Sequence, residues 1–150
     1  MYRGVVRPCM EYASHIWGGS FNSNLKLLDR VESKAFRLIN SPLTASLQTL
    51  SDRRNVASLA LYYRYYNGHC SSELYTHIPP PLRRPRATRQ GTHSHTYSVQ
   101  LPHSRLENYR RSFFYRAGLA WNGLSSSIFP SYYNMNIFKR RMSGHVGHAS

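Results

Sequence analysis

The residue types that could do chemistry are few, and their spacing excludes more than it suggests. Asp29 and Asp52 are the only aspartates, and they lie far apart in the chain. Two-metal nucleotidyl transfer needs paired carboxylates that hold magnesium ions roughly 4 Å apart. No Asp-Asp pair exists here, and no glycine-rich phosphate or dinucleotide loop is present either. His69 adjoins Cys70, and His93 and His95 follow in the next basic stretch. These are legitimate zinc ligands, but the spacing fits no standard zinc module, and Cys9 has no Cys-x-x-Cys neighbour. Cys70 is a poor nucleophile candidate, because a thiol needs a base facing it and its adjacent His69 is badly placed for that. The reading is therefore of no catalytic residue, no metal site and no cofactor.

What remains is recognition of anions. Lysine and arginine number 20 against 6 acids, a net charge of +14 with a pI near 10.4. Such a balance points to nucleic acid as partner and says nothing of fold. Within Leu25 to Asn40, Lys26, Arg30, Lys34 and Arg37 recur at helical spacing, opposite Leu25, Leu28, Val31, Ala35, Leu38 and Ile39. Asp29 and Glu32 fall between the two stripes. A helix of this kind packs one side on a core and shows four cations to phosphates. Arg53 and Arg54 form a second candidate group, and Arg83, Arg84, Arg86 and Arg89 a third, in a stretch without acids. Arginines also interleave with aromatics in Tyr62–Tyr66 and Tyr109–Arg116, a pairing suited to single-stranded nucleic acid. Half of those tyrosines fall on a helix face that core packing would claim.

The elements that position these groups are helical. Residues 1–20 read as one helix with Pro8 in its first turn, stopped by Gly18-Gly19. Residues 25–40 form the basic helix, with Asn22 or Ser23 as cap and Asn40-Ser41-Pro42 as its end. A third helix follows a cap at Ser51 and closes at Asn67-Gly68, with Val56, Leu59, Ala60 and Tyr63 inward and Tyr62, Tyr65 and Tyr66 flanking. The fold class expected is mostly α: a small helical bundle over about residues 5–68, a Pro/Arg-rich extended segment, and a loosely packed basic C-terminal part with short helices. The expected divisions are 1–77, 78–104 and 105–150. One short strand is expected at Tyr97, Val99 and Leu101. Leu, Ile, Val and Phe total 32 of 150 residues, which suits only a small core, placed by this reading in the first half. Two cysteines and the lack of an apolar run near membrane length lead to the expectation of a reducing, intracellular compartment, nucleus and cytoplasm not separated, and no membrane partner.

Four blocks of the chain resemble the C-terminal region of reverse transcriptases of non-LTR, LINE-type retrotransposons, the jockey-like elements in particular. Arg7-Pro8-Cys9-Met10-Glu11-Tyr12-Ala13 through Ile16-Trp17 resembles the block at the end of the polymerase thumb. Val31, Lys34, Ala35, Arg37, Leu38 and Ile39 keep the Val-x-x-Lys-Ala-x-Arg-Leu-Ile pattern of the following helix. Leu50 to Arg54 with Tyr63 to Ser71 resembles the next signature, and Ser112-Phe113-Phe114, Leu119 to Leu124 and Phe129 to Lys139 resemble the closing blocks. Tyr115, Ala120 and Ser125 depart from the family pattern. The resemblance implies a truncated C-terminal fragment of an RNA-directed DNA polymerase, without the catalytic palm, whose thumb-like helices hold template RNA or primer–template by its backbone. The implied partners are RNA or DNA and the polymerase domains not present in this chain. The alternative expectation is a basic protein-interaction or structural fragment, or a decayed element remnant, with no nucleic-acid role of its own.

Overall fold

The computed structural model describes residues 2–40, 47–82 and 95–147. It is mostly helical, as the periodicity predicts. The elements are α1 (Arg7–Glu11), α2 (Ser14–Trp17), α3 (Asn22–Ile39), α4 (Leu50–Tyr66), α5 (Ser72–Tyr75), α6 (Glu107–Arg111), α7 (Phe113–Asn122) and α8 (Met135–Gly147). A wide turn, Tyr2–Val6, precedes α1, and a 3-10 turn, Ser126–Ile128, follows α7. Among the described residues no helix is long and apolar enough to cross a membrane.

The principal core lies around α4, but its other half comes from the C-terminal third. Leu59, Tyr62 and Tyr63 pack with Val99, Ala117, Trp121, Leu124, Ile128, Phe129, Phe138 and Met142. The core therefore crosses the expected divisions at 77/78 and 104/105, and residues 105–147 are not a loose appendage. Aromatic mass supplies what aliphatic residues lack. The Tyr63 ring stacks on Phe138 at 4.2 Å and 2°, and the Trp121 ring meets Tyr62 at 5.1 Å and Phe129 at 4.8 Å. A smaller cluster joins Met10 and Leu50 to Val6, Leu28, Ala35 and Phe36.

Residues 98–100 lie extended, and alternation of backbone polarity along them explains how they are held. One edge pairs with the proline run: Leu82 N–H donates to the Ser98 carbonyl and Gln100 N–H to the Pro80 carbonyl, each at 2.8 Å. Pro81, opposite Val99, is asked for no N–H, so the proline triplet fits an edge. The other edge carries the Val99 N–H and C=O, which exchange two 2.8 Å bonds with the side-chain amide of Asn122. The strand expected at Tyr97, Val99 and Leu101 is thus a single antiparallel bridge plus a side-chain substitute for a partner strand. His95 completes the clamp. Its Nδ1 accepts from the Tyr97 N–H at 3.2 Å, so Nε2 carries the proton and donates to the Trp121 carbonyl at 2.8 Å. The Trp121 indole N–H returns a bond to the Tyr97 carbonyl at 2.8 Å.

Local details differ from the expected elements for identifiable reasons. The first helix is broken at Tyr12-Ala13, where Ala13 turns left-handed at φ 51° and the indole of Trp17 donates to the Tyr12 carbonyl at 2.6 Å. α3 starts after Phe21 with no side-chain cap, so neither Asn22 nor Ser23 serves that role. Its end at Asn40, left-handed at φ 42°, agrees with expectation. The cap of α4 is Thr49 in place of Ser51. Its hydroxyl oxygen accepts from the Asp52 N–H at 3.1 Å while donating to the Asp52 carboxylate at 2.7 Å. Tyr62, expected on the flank, is fully buried. The helical turn expected around Leu43 to Leu47 falls almost wholly outside the described residues.

Two substitutions test this core by urea unfolding. Asn122→Ala leaves both Val99 backbone groups unpaired and should cost about 2–4 kcal/mol. Tyr62→Phe should be neutral or stabilising, because the buried Tyr62 hydroxyl has no hydrogen-bond partner and burial pushes its ionisation well above the ordinary tyrosine range.

Candidate nucleic-acid interface

α3 sets the electrostatics of one face of the molecule, and its orientation is decided by its two acids. Glu32 is buried and accepts from the Leu50 N–H at 2.9 Å, a carboxylate placed at the start of α4 where the helix dipole favours it. Asp29 accepts from Arg54 Nη2 at 2.9 Å. These anchors turn α3 so that Leu28, Glu32, Ala35 and Phe36 face inward. The expected apolar face is rotated by roughly 50°, about half of one residue's step around a helix. Val31 and Leu38 consequently stand 50% and 78% exposed, beside an exposed Leu27. This corrects the reading of Val31 and Leu38 as core residues.

Lys26, Arg30, Lys34 and Arg37 are all exposed on the outer side of α3. None of them forms an ion pair among the described residues. Arg37 Nε reaches only the Ser33 carbonyl, at 3.4 Å. Asp29 and Glu32 are held elsewhere, so among the described residues no carboxylate pairs with this stripe. Over its length the stripe spans about 17 Å of helix axis, at 1.5 Å per residue.

The second group behaves differently. Arg54 is buried, paired with Asp29, and lies 5.8 Å from the centre of the Trp17 ring. Arg53 binds the Glu11 carboxylate through Nε and, at 2.7 Å, through Nη2, and Arg7 Nε holds the same carboxylate at 3.0 Å. Arg53 and Arg54, expected as phosphate contacts, are thus structural ties among α1, α3 and α4, each held by a carboxylate in this structure. Arg83, Arg84, Arg86 and Arg89 lie outside the described residues.

The aromatic runs serve packing more than stacking on bases. Tyr62 and Tyr63 are buried, and Tyr65 meets Phe113 and Phe114 edge-on or tilted at 6.2 Å. Tyr133 stacks with Tyr63 at 5.2 Å and with His69 at 4.1 Å. His69, Cys70 and His95 do not converge: the Cys70 thiol lies near the Tyr65 carbonyl at 3.9 Å, and His95 is committed to the clamp. His93 lies outside the described residues. Arg110, Arg111 and Arg116, read in the sequence as part of an arginine–aromatic run, gather at the start of α3 beside Gly18-Gly19. The only sequence sign of them was the arginine–aromatic run 109–116; their meeting with residues 18–25 depends on tertiary packing. Compared with known protein families, curated proteins and solved structures, the chain matches none at significance.

The Arg7–Glu11–Arg53 tie gives a pH signature. Partial burial raises the Glu11 pKa, but hydrogen bonding and charge from Arg53 and then Arg7 outweigh it and leave the carboxyl below its ordinary 4.5. A depressed folded-state value contributes stability above the unfolded pKa that is lost as pH falls through the folded one. Thermal melts between pH 6 and roughly pH 3 should therefore show a steeper acid loss in the native chain than in Glu11→Gln.

Proposed function

We propose that the chain binds the phosphate backbone of RNA or DNA through the outer face of α3, as a non-catalytic part of a retrotransposon RNA-directed DNA polymerase. The observation that carries the binding reading is the exposed line of Lys26, Arg30, Lys34 and Arg37, without an ion pair among the described residues, with both acids of α3 engaged by partners on α4. The polymerase context is supported by the sequence blocks at Arg7 to Trp17, Val31 to Ile39, Leu50 to Ser71 and Ser112 to Lys139. Backbone contacts of this kind position a strand and read no bases. The chemistry of nucleotide transfer would belong to carboxylates that this chain does not pair.

A second reading is favoured by one specific feature. Leu27, Val31 and Leu38 form an exposed apolar strip directly beside the cations, and Tyr12 and Ile16 are exposed on the preceding segment. An acidic protein partner, such as an adjoining polymerase domain, would cover apolar strip and cations together. It would give weak RNA binding that does not grow with RNA length and that heparin abolishes.

Salt titration separates the two. If four cations neutralise phosphates, log affinity for duplex DNA should fall with log salt at a slope of about −3.6, and of about −2.8 for a single strand. Lys34→Glu with Arg37→Glu should halve the duplex slope to about −1.8 and weaken all sequences alike. Unchanged binding in that double variant would remove α3 from the interface.

A further inference from the structure

A cleft of about 480 Å³ opens at the first turn of α3. One wall is the Gly18–Ser23 turn and the other carries Arg110, Arg111 and Arg116 from α6 and α7. The two glycines permit the approach. A Cβ on Gly19 would collide with the Arg111 carbonyl, and one on Gly18 would stand 3.2 Å from both terminal nitrogens of Arg116.

Arg116 is the unusual member. Its Nη2 donates to the His15 carbonyl at 3.2 Å, but its buried Nε has no hydrogen-bond partner. No carboxylate among the described residues pairs with it. A partly buried cation without a counter-charge is costly, so an anion beside Arg116 would be favoured. Burial correspondingly pulls the guanidinium below its ordinary pKa. The guanidinium carbon of Arg111 stands over the Phe21 ring, 3.8 Å from its centre, and both residues line the cleft. Glu107 is the one acid in the lining, and Arg111 and Arg110 already bracket it at 3.0 and 3.7 Å. The α3 N-terminus, uncapped by any side chain, adds its free N–H groups to the same wall.

We propose that this cleft binds a phosphate group through Arg116, Arg110 and the first N–H groups of α3. For the source of that phosphate, a nucleic-acid strand, the inference rests on the binding reading above. Ser23 lines the cleft and continues the register of Lys26, Arg30, Lys34 and Arg37, at steps of three, four, four and three residues. A strand anchored in the cleft therefore runs onto the cationic stripe, about 21 Å from Ser23 to Arg37 along the axis.

The test uses the full chain, with inorganic phosphate as the first probe and chloride at equal ionic strength as control. Phosphate should raise Tm saturably, by about 5 °C or more when well above its Kd, and Arg116→Gln should abolish the rise without lowering Tm in chloride. Lys34→Glu with Arg37→Glu should leave the rise intact. A phosphate response equal in the native chain and Arg116→Gln, or none in either, overturns the cleft. Oligonucleotides with a 5′-phosphate or a 5′-hydroxyl then identify the source. Tighter binding of the phosphorylated strand, lost in Arg116→Gln, assigns a terminal phosphate; equal binding of both, weakened alike by the substitution, assigns an internal one. If phosphate stabilises through Arg116 but no oligonucleotide binds, the cleft stands and the strand reading falls.

Discussion

The backbone of Val99 exchanges two hydrogen bonds with a single side-chain amide, that of Asn122, and most of the principal core is arranged around that junction. An extended segment with one edge paired to Pro80 and Leu82 would otherwise bury its second edge unsatisfied. Asn122 supplies the missing strand with one residue. Trp121, next to it, fills the space between α4 and residues 95–99, and its own carbonyl and indole N–H close the circuit with His95 and Tyr97. Because each of these polar groups is satisfied by another, the aromatic rings of Tyr62, Tyr63, Phe129 and Phe138 can pack around them, and the Tyr62 hydroxyl is the buried group in that cluster left without a partner. The tight passage of α7 over Leu101 and Tyr62 depends on Gly118, where a Cβ would come within 2.8 Å of the Leu101 side chain.

A second constraint acts on the charges. The chain has 6 acids, and the structure assigns each of them an internal task. Glu11 joins Arg7 and Arg53, Asp29 holds Arg54, Glu32 receives the first N–H of α4, Asp52 completes the Thr49 cap, Glu73 meets Ser71, and Glu107 lies between Arg110 and Arg111. With the acids so placed, Lys26, Arg30, Lys34 and Arg37 stand outward with no ion pair among the described residues. The positive field of the α3 face is therefore a product of the fold as much as of composition.

Helix positions were legible where periodicity and end signals agree. The ends of α3 at Asn40 and of α4 at Asn67-Gly68 follow from local backbone preference, and Phe129-Pro130 breaks the chain as a proline should. The orientation of α3 was not legible, because Leu27, Leu28, Val31 and Leu38 offer two overlapping apolar stripes. The choice between them is made by Glu32 and Asp29 reaching partners 18 and 25 residues away. The participation of the C-terminal third was also hidden, since aliphatic content understates a core built from Trp121, Tyr62, Tyr63 and Phe138. Of the candidate site, the cations of α3 could be read from spacing alone. The engagement of Arg53 and Arg54 could not, and neither could the meeting of Arg116 with Gly18, 98 positions earlier in the numbering.

On the proposed reading, phosphates lie along the outer face of α3. Backbone amide chemical shifts followed during titration with a short oligonucleotide test it most directly, because they locate contact without removing any charge. Perturbations should run from the Gly18–Ser23 turn along Lys26, Arg30, Lys34 and Arg37, with Arg53 and Arg54 little affected. Perturbations confined to the other exposed basic surface, at Lys139 and Arg140 on α8, would contradict it.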